Sequence, residues 1–409
     1  MIGAPPSSPE TVLPSMTSDA VATDTTQTTL DILGQLVAFD TTSRNSNLPL
    51  IEWVEAYMRP HGARMERIPS PDGAPKANLY MSFGPEDVPG YILSGHTDVV
   101  PVDGQDWTRP PFALTVEDGR AYGRGSCDMK GFLACCLAAV PKLAAATLTT
   151  PIHLAFSYDE EVGCTGVRPM IAVLGGRKVV PKGAFIGEPS SMRVTIGHKG
   201  GQRYRVEIKG KAAHSSLAPQ GVNSVEWGAR LVAFIRDLAD RTAAHGARDP
   251  LYDVPHTTLH CGIFHGGTAN NIVPHEAWFT FEVRAIGSET AEPYVDEIIA
   301  YAREKLEPAM KAIDPEAGFV FTPAIGLPPL ETAPEAEIAV LAKQLARRNE
   351  HGKVGYGTEA SLFQAGGIAA VVVGPGNIEQ AHKPDEFIEI AELARCNAFI
   401  DRLIAYCSR

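Results

Sequence analysis

Apolar residues recur every three to four positions in Leu30–Phe39 and again in Leu48–Met58, and this spacing predicts two amphipathic helices. Beyond them short apolar strands alternate with helices. Tyr91–Ser94 reads as a strand running into His96, and Lys130–Ala146 as a helix rich in alanine and leucine. Ile152–Tyr158 is a strand ending in Asp159, Glu160 and Glu161, and Ala184–Gly187 is a strand ending at Glu188. Near the C-terminus Glu335–Asn349 reads as a helix and Ala369–Val373 as a continuous apolar strand. This alternation predicts an α/β fold, a mostly parallel sheet flanked by helices. Ligands bind such sheets beyond the carboxyl ends of the strands, which is where these acidic residues and His96 fall.

The pattern changes near Gly197. Gln202–Lys209 alternates as a strand, Ser224–Ala239 reads as a helix, Thr257–Phe264 and Glu276–Ala285 are strands of period two, and Ala291–Leu306 is a helix. That order predicts a smaller α+β unit, residues 197–316, inserted into a larger domain made of residues 29–196 and 317–409. Residues 1–28 are rich in Pro, Ser, Thr and Ala and contain no Lys or Arg, so they read as a disordered leader rather than a secretory signal. No internal repeat is visible.

Length and composition narrow the function. A chain of 409 residues has room for two domains, and 44% apolar with 21% charged residues suits a folded globular protein. Thirty-six basic against 48 acidic residues give a net charge of -12, which argues against nucleic acid and against an anionic membrane surface. No apolar run approaches the roughly 18 residues needed to span a bilayer. Seven cysteines, an odd number with no C-x-x-C pair, argue against a disulfide framework or a structural zinc ribbon. Free thiols point to a reducing compartment, the cytoplasm.

Five places along the chain carry candidate chemistry. In His96-Thr-Asp98 the two end residues would share one face of a strand, and a carboxylate beside an imidazole fixes its tautomer as a metal ligand, although such a triplet also arises by chance. Asp128 closes a glycine turn, Gly123-Arg-Gly125, ahead of a helix, where a carboxylate can bridge two ions. A dinucleotide loop is the rival reading, but Asp128 stands where the third glycine of G-x-G-x-x-G belongs, and Glu379 does the same after Gly374-Pro-Gly376. An oxidoreductase is therefore disfavoured. Adjacent Glu160 and Glu161 suit a base and a ligand, or a solvated acidic turn. Glu188 and His382 are each ordinary taken singly. Together these residues form a set of hard-cation ligands at the turns and strand ends of one α/β domain.

That set resembles the co-catalytic zinc aminoacylase and carboxypeptidase family, to which acetylornithine deacetylases and succinyl-diaminopimelate desuccinylases belong. The likeness covers nearly the whole chain after about residue 29. It is carried by Gly-Arg-Gly-Ser-Cys-Asp-Met-Lys-Gly (123–131), Asp-Glu-Glu-Val-Gly-Cys (159–164), Gly-Glu-Pro-Ser (187–190), Gly-Thr-Glu-Ala (357–360) and Gln-Ala-His-Lys-Pro (380–384), and is strongest toward the acetylornithine deacetylases. The resemblance implies two divalent ions, zinc first with cobalt or manganese as alternatives. It implies that Asp128 bridges them, that His96 and Glu188 complete one site, and that Glu161 and His382 complete the other. Asp98 would orient His96, Glu160 would be the general base, and the peptide after Asp128 would be cis. Ions so placed acidify water toward a pKa of about 7. His214, in the inserted lid, would stabilise the oxyanion, often from the partner subunit of a homodimer, unless it is a surface histidine near a turn. Asn271 in a glycine-rich loop, Arg284 after an alternating strand and Glu359 would contact the substrate. Arg284 could equally be a surface ion pair, and Glu359 a carboxylate favoured by a helix N-terminus. The implied reaction is hydrolysis of an N-acyl amino acid amide, N2-acetyl-L-ornithine foremost, or that of another acyl amino acid or dipeptide.

Overall fold

Residues 18–409 are described by a computed structural model of the chain, with side chains from residue 25 onward. In chain order the strands are β1 (Arg64–Pro69), β2 (Ala77–Phe83), β3 (Tyr91–His96), β4 (Thr115–Glu117), β5 (Arg120–Tyr122), β6 (Ile152–Ser157), β7 (Gly183–Pro189) and β8 (Val194–His198). There follow β9 (Gly200–Lys209), β10 (Thr258–Gly266), β11 (Glu276–Ala285), β12 (Gly318–Pro323), β13 (Leu330–Glu331), β14 (His351–Val354), β15 (Ala370–Gly374) and β16 (Phe387–Glu389). The large sheet runs β1-β2-β6-β3-β7-β15-β8-β13, with β14 beside β8. Its centre is parallel, β6 to β3 to β7 to β15, the pairs β1-β2, β2-β6 and β8-β13 are antiparallel, and β14 joins β8 in parallel. β3, β7 and β15 are buried along their whole length, which is why they read as unbroken apolar runs rather than alternating ones. Apolar cores lie on both faces. One holds Leu33, Leu36, Phe132, Leu133, Phe185 and Phe399, and the other holds Met170, Leu174, Ile186 and Phe363. The sheet and the two cores place the carboxyl ends of β3, β6, β7 and β15 along a common rim.

The smaller sheet is antiparallel, β10-β11-β9-β12. β11 alternates buried and partly exposed residues along its length. Its inward Phe279, Phe281 and Val283 pack with Leu231, Ile235 and Ile298 from the helices Ser224–His245 and Glu292–Tyr301. The last strand, β12, pairs with β9 and so belongs to this sheet, beyond the boundary at residue 316 that the sequence pattern predicts. Its alternation is too short to stand out from the loop around it.

Two other expectations change. The helix at the start runs Ser18–Val37, so residues 18–28 are helical rather than a disordered leader, while residues 1–17 lie outside the described residues. Thr29, fully buried, ties this helix to the last one by hydrogen bonds with Asn397, and Lys142 Nζ reaches Thr25 at 3.3 Å. These tertiary contacts outweigh the weak helix propensity of a threonine-rich stretch. The single helix expected over Lys130–Ala146 is two, Gly131–Ala138 and Val140–Ala145, with Pro141 at the start of the second. Among the described residues no helix is long and apolar enough to cross a membrane. All seven cysteines are free thiols.

His198 ends β8 at the passage into the smaller sheet. Its ring is fully buried, with Nδ1 3.0 Å from the Lys199 carbonyl and Nε2 accepting the Thr358 N–H at 3.2 Å. The second bond requires a neutral ring, because Nε2 accepts in it, and burial holds the pKa down to about 4. The unfolded chain protonates near 6.5, so this contribution to stability is complete above that pH and is lost as pH falls from about 6.5 toward 4, by up to about 3 kcal/mol. In urea unfolding at about pH 7 and about pH 5, His198→Gln is expected to lose less stability on acidification than the parent chain. Equal losses in both proteins would rule the residue out as the source.

Candidate metal centre and active site

His96 is the last residue of β3, and Asp98 already lies past the strand end. The two side chains still approach one another, though without a direct hydrogen bond between them. The His96 Nδ1–H instead donates to the main-chain carbonyl of Asp98 at 2.9 Å, with the carboxylate 3.6 Å away. This fixes the tautomer with Nε2 free to ligate, the result the sequence reading assigned to the carboxylate. The Asp98 carboxylate is spent on the neighbouring loop. It accepts Ser43 Oγ at 2.7 Å, Glu160 N–H at 3.1 Å and Glu161 N–H at 3.3 Å.

Asp128 stands at the centre of the cluster. Its Oδ1 is 3.1 Å from His96 Nε2 and its Oδ2 is 3.2 Å from His382 Nε2, so the two oxygens face opposite imidazoles. On one side Glu188, from β7, comes within 3.7 Å of His96 Nε2, and on the other Glu161 lies 3.0 Å from His382 Nε2. The Asp128–Met129 peptide is cis, as the resemblance implies. Potential ligand atoms of His96, Asp128 and Glu161 all lie within 4.8 Å of one another, and so do those of His96, Glu160 and Glu188. The structure thus brings together all five expected ligands and Glu160.

The electrostatics ask for cations. Four carboxylates crowd two imidazoles, and Glu161 Oε1 and Glu188 Oε1 are buried without a hydrogen-bond partner. Burial, then repulsion from the neighbouring carboxylates, pushes Glu160 up to about 8 and raises Glu161 and Glu188. His382 is pushed up to about 10 by its bonds to Asp128 and Glu161, and His96 rises through Asp128 and Glu188 against the opposing effect of its burial. Protons on the imidazoles stand in for positive charge that divalent ions would supply, releasing those protons on binding. The donor set, imidazole nitrogen and carboxylate oxygen, fits zinc and its divalent neighbours.

The turn that carries Asp128 is held by a residue that sequence reasoning missed. Glu386 is fully buried and receives Arg124 Nη1–H at 2.6 Å and the main-chain N–H groups of Gly125, Cys127 and Asp128 at 3.1, 2.9 and 3.0 Å. The pairing of β16 with β5 brings it there. The one available signal was Arg124, a cation in a glycine turn that must be buried against a counter-charge.

A cleft of about 770 Å³ opens on the cluster. Glu160, Glu161, Glu188 and His382 form its floor, and Lys199 just before β9, Gln202 and Arg203 on β9 and Glu282 and Arg284 on β11 form a wall. Arg284 lies where the sequence placed it, but its Nε already donates to Glu282 Oε1 at 2.9 Å. Glu359 does not line the cleft. Its carboxyl is buried behind the floor, with Oε1 accepting Ser157 Oγ at 2.6 Å and Oε2 unpartnered, and burial pushes it up to about 7. It precedes the helix Ala360–Ala365 but makes no capping hydrogen bond there and its charged form is disfavoured, so neither a substrate contact nor a carboxylate favoured by a helix terminus describes its place. His214 and Asn271 are brought together, since Ser215 N–H donates to the Asn271 carbonyl at 3.0 Å and His214 bridges Ile272. Both are exposed, and neither lines this cleft.

Residues 92–406 match the model described as peptidase family M20/M25/M40. An acetylornithine deacetylase of Myxococcus xanthus is 33% identical over 378 residues, which cover 91% of this chain and 96% of that protein. Among solved structures, the aminopeptidase PepT of Bacillus cereus ATCC 10987 superposes with a TM-score of 0.73 at 19% identity, over 94% of this chain and 99% of that one. The Bacillus subtilis protein YxeP, described as a dinuclear metal-binding peptidase, does so with a TM-score of 0.65 at 15% identity, over 94% and 98%.

Proposed function

The chain belongs to peptidase family M20/M25/M40, and from that premise we propose that it hydrolyses N-acyl amino acids, N2-acetyl-L-ornithine first among them, to the free amino acid and a carboxylate. The observation that carries the reading is the geometry of Asp128, whose two oxygens address His96 on one side and His382 on the other beneath an open cleft. His96, Asp128 and Glu188 would hold one divalent ion and Asp128, Glu161 and His382 the other, with zinc the first choice and cobalt or manganese the alternatives. Such ions, when bound, acidify water and polarise the scissile carbonyl. Glu160 takes a proton from the attacking water and returns it to the departing amine nitrogen, so that one C–N bond breaks, one C–O bond forms and the charges balance. Arg284 exchanges part of its hold on Glu282 for the substrate carboxylate. The free thiols suit a cytoplasmic enzyme, and the substrate would place it in arginine formation.

A second reading, a substrate with an additional negative charge such as a succinyl amino acid, is favoured by the cleft wall. There Lys199, Arg203 and Arg284 face a single carboxylate, Glu282. Initial rates on acetylornithine, acetylmethionine and succinyl-diaminopimelate, with metal-loaded and chelated protein, separate the two. The highest kcat/KM on acetylornithine, abolished by chelation, is expected, and a clear preference for the succinyl substrate would transfer the assignment.

The place of His214 and Asn271 supports a homodimer in which the lid of one copy reaches the cleft of the other. β10 is an edge strand with exposed Ile263 and Phe264, and Leu217 and Ile272 are exposed nearby. His214→Ala is expected to lower turnover strongly without loss of metal. Mixing His214→Ala with Glu160→Gln is expected to recover about a quarter of the parent activity, because half the dimers are mixed and each has one complete site. No recovery would mean that His214 serves its own chain.

A further inference from the structure

Cys164 follows Glu160 by four residues in a turn that folds back on itself. The N–H groups of Gly163 and Cys164 both donate to the Glu160 carbonyl, at 2.9 and 2.8 Å. This brings the Cys164 Sγ to 3.2 Å from Glu160 Oε1. Among the described residues it is the hydrogen-bond partner recorded for the Glu160 side chain. We propose that Cys164 is a positioning residue for Glu160: its thiol donates a hydrogen bond to Oε1 and so holds the carboxyl in one orientation, leaving Oε2 for the cleft that Glu160 lines.

Three features support this assignment, which rests on Glu160 as the general base. Cys164 has φ of 53°, a left-handed conformation that a side chain disfavours and a glycine would adopt freely. What the position gains from a non-glycine residue is therefore its side chain. The residue is buried, and burial pushes its thiol up, so it remains an S–H donor at neutral pH rather than a thiolate repelling the carboxylate. The other end of the same turn is also fixed, by Glu160 N–H to Asp98. Glu160 is thus gripped at its main chain by Asp98 and at its side chain by Cys164. A base free to rotate would spend part of its time out of reach of the water proton, and misplacement of this kind lowers turnover rather than binding.

Packing alone makes a different prediction, because a small apolar residue would fill the same space. Cys164→Ala removes the donor and Cys164→Ser keeps it. Cys164→Ala is expected to lower kcat roughly ten- to a hundredfold, with KM, metal content and thermal midpoint little changed, while Cys164→Ser recovers most of the loss. Serine no better than alanine, or alanine at parent activity, would overturn the proposal. A second readout does not depend on catalysis. The S–H stretching band of Cys164, isolated by infrared difference against Cys164→Ala, is expected to shift to higher frequency in Glu160→Ala, where the acceptor is gone. An unmoved band would show that no such bond exists. If the parent protein were inactive on every acyl amino acid, the functional reading would fail, and the infrared result would still decide whether the contact is real.

Discussion

Glu386→Gln is expected to lose both catalytic metal and roughly 3–5 kcal/mol of stability, although Glu386 neither ligates nor touches substrate. Its two oxygens accept four N–H donors, one from Arg124 and three from the turn that ends at Asp128. A glutamine offers an NH2 group where one oxygen stood, so at least one main-chain donor faces another donor. The Arg124 guanidinium, 1% exposed, is left without its counter-charge. Removing one partner of a buried pair is costly because the other charge remains in a dry place. The turn that aims Asp128 then loses the side-chain acceptor shared by Gly125, Cys127 and Asp128. Metal analysis after dialysis, together with urea unfolding, measures both losses. Glu389→Gln, exposed three residues further on, is the control and is expected to lose neither. Full metal content and parent stability in Glu386→Gln would refute the clamp.

Glu160→Gln carries the other large effect, a fall in kcat of about 10²- to 10⁴-fold with metal content and KM close to the parent values. The side chain keeps its size and can still accept from Cys164, but it no longer takes a proton. Its raised pKa in the bare cluster comes from burial and from neighbouring negative charge, and divalent ions remove the second cause. Retention of more than a tenth of the parent turnover would assign the proton transfer to another group.

Much of this site was legible before any coordinates, for a definite reason. A ligand at a strand end is flanked by an apolar run, so His96, Glu188 and the Glu160–Glu161 pair each announce a position in the fold as well as a chemistry. β11 was read to the residue because one face is buried and its alternation is complete. What stayed hidden depends on partners remote in sequence. Glu386 acts on residues about 260 positions earlier, and nothing in its own neighbourhood marks that. The hydrogen bond to His96 Nδ1 comes from the Asp98 main-chain carbonyl rather than from its carboxylate, since the strand stops two residues earlier than a period-two reading assumes. Glu359 followed a motif that fits a substrate contact, yet the short helix after it turns the carboxyl inward against Ser157. β12 and the part of the initial helix around Thr25 and Thr29 are held by tertiary pairing that local composition does not reveal.

The clamp and the candidate ligand His382 come from residues 382–386, whereas the groups they meet were made near position 128. During synthesis the pair that would hold the second ion, Glu161 with His382, can therefore be completed only long after His96, Asp128 and Glu188 have been made. A fragment ending before residue 382 would lack His382 and the Glu386 clamp on the Asp128 turn, so completion of the second ion site would come late in synthesis.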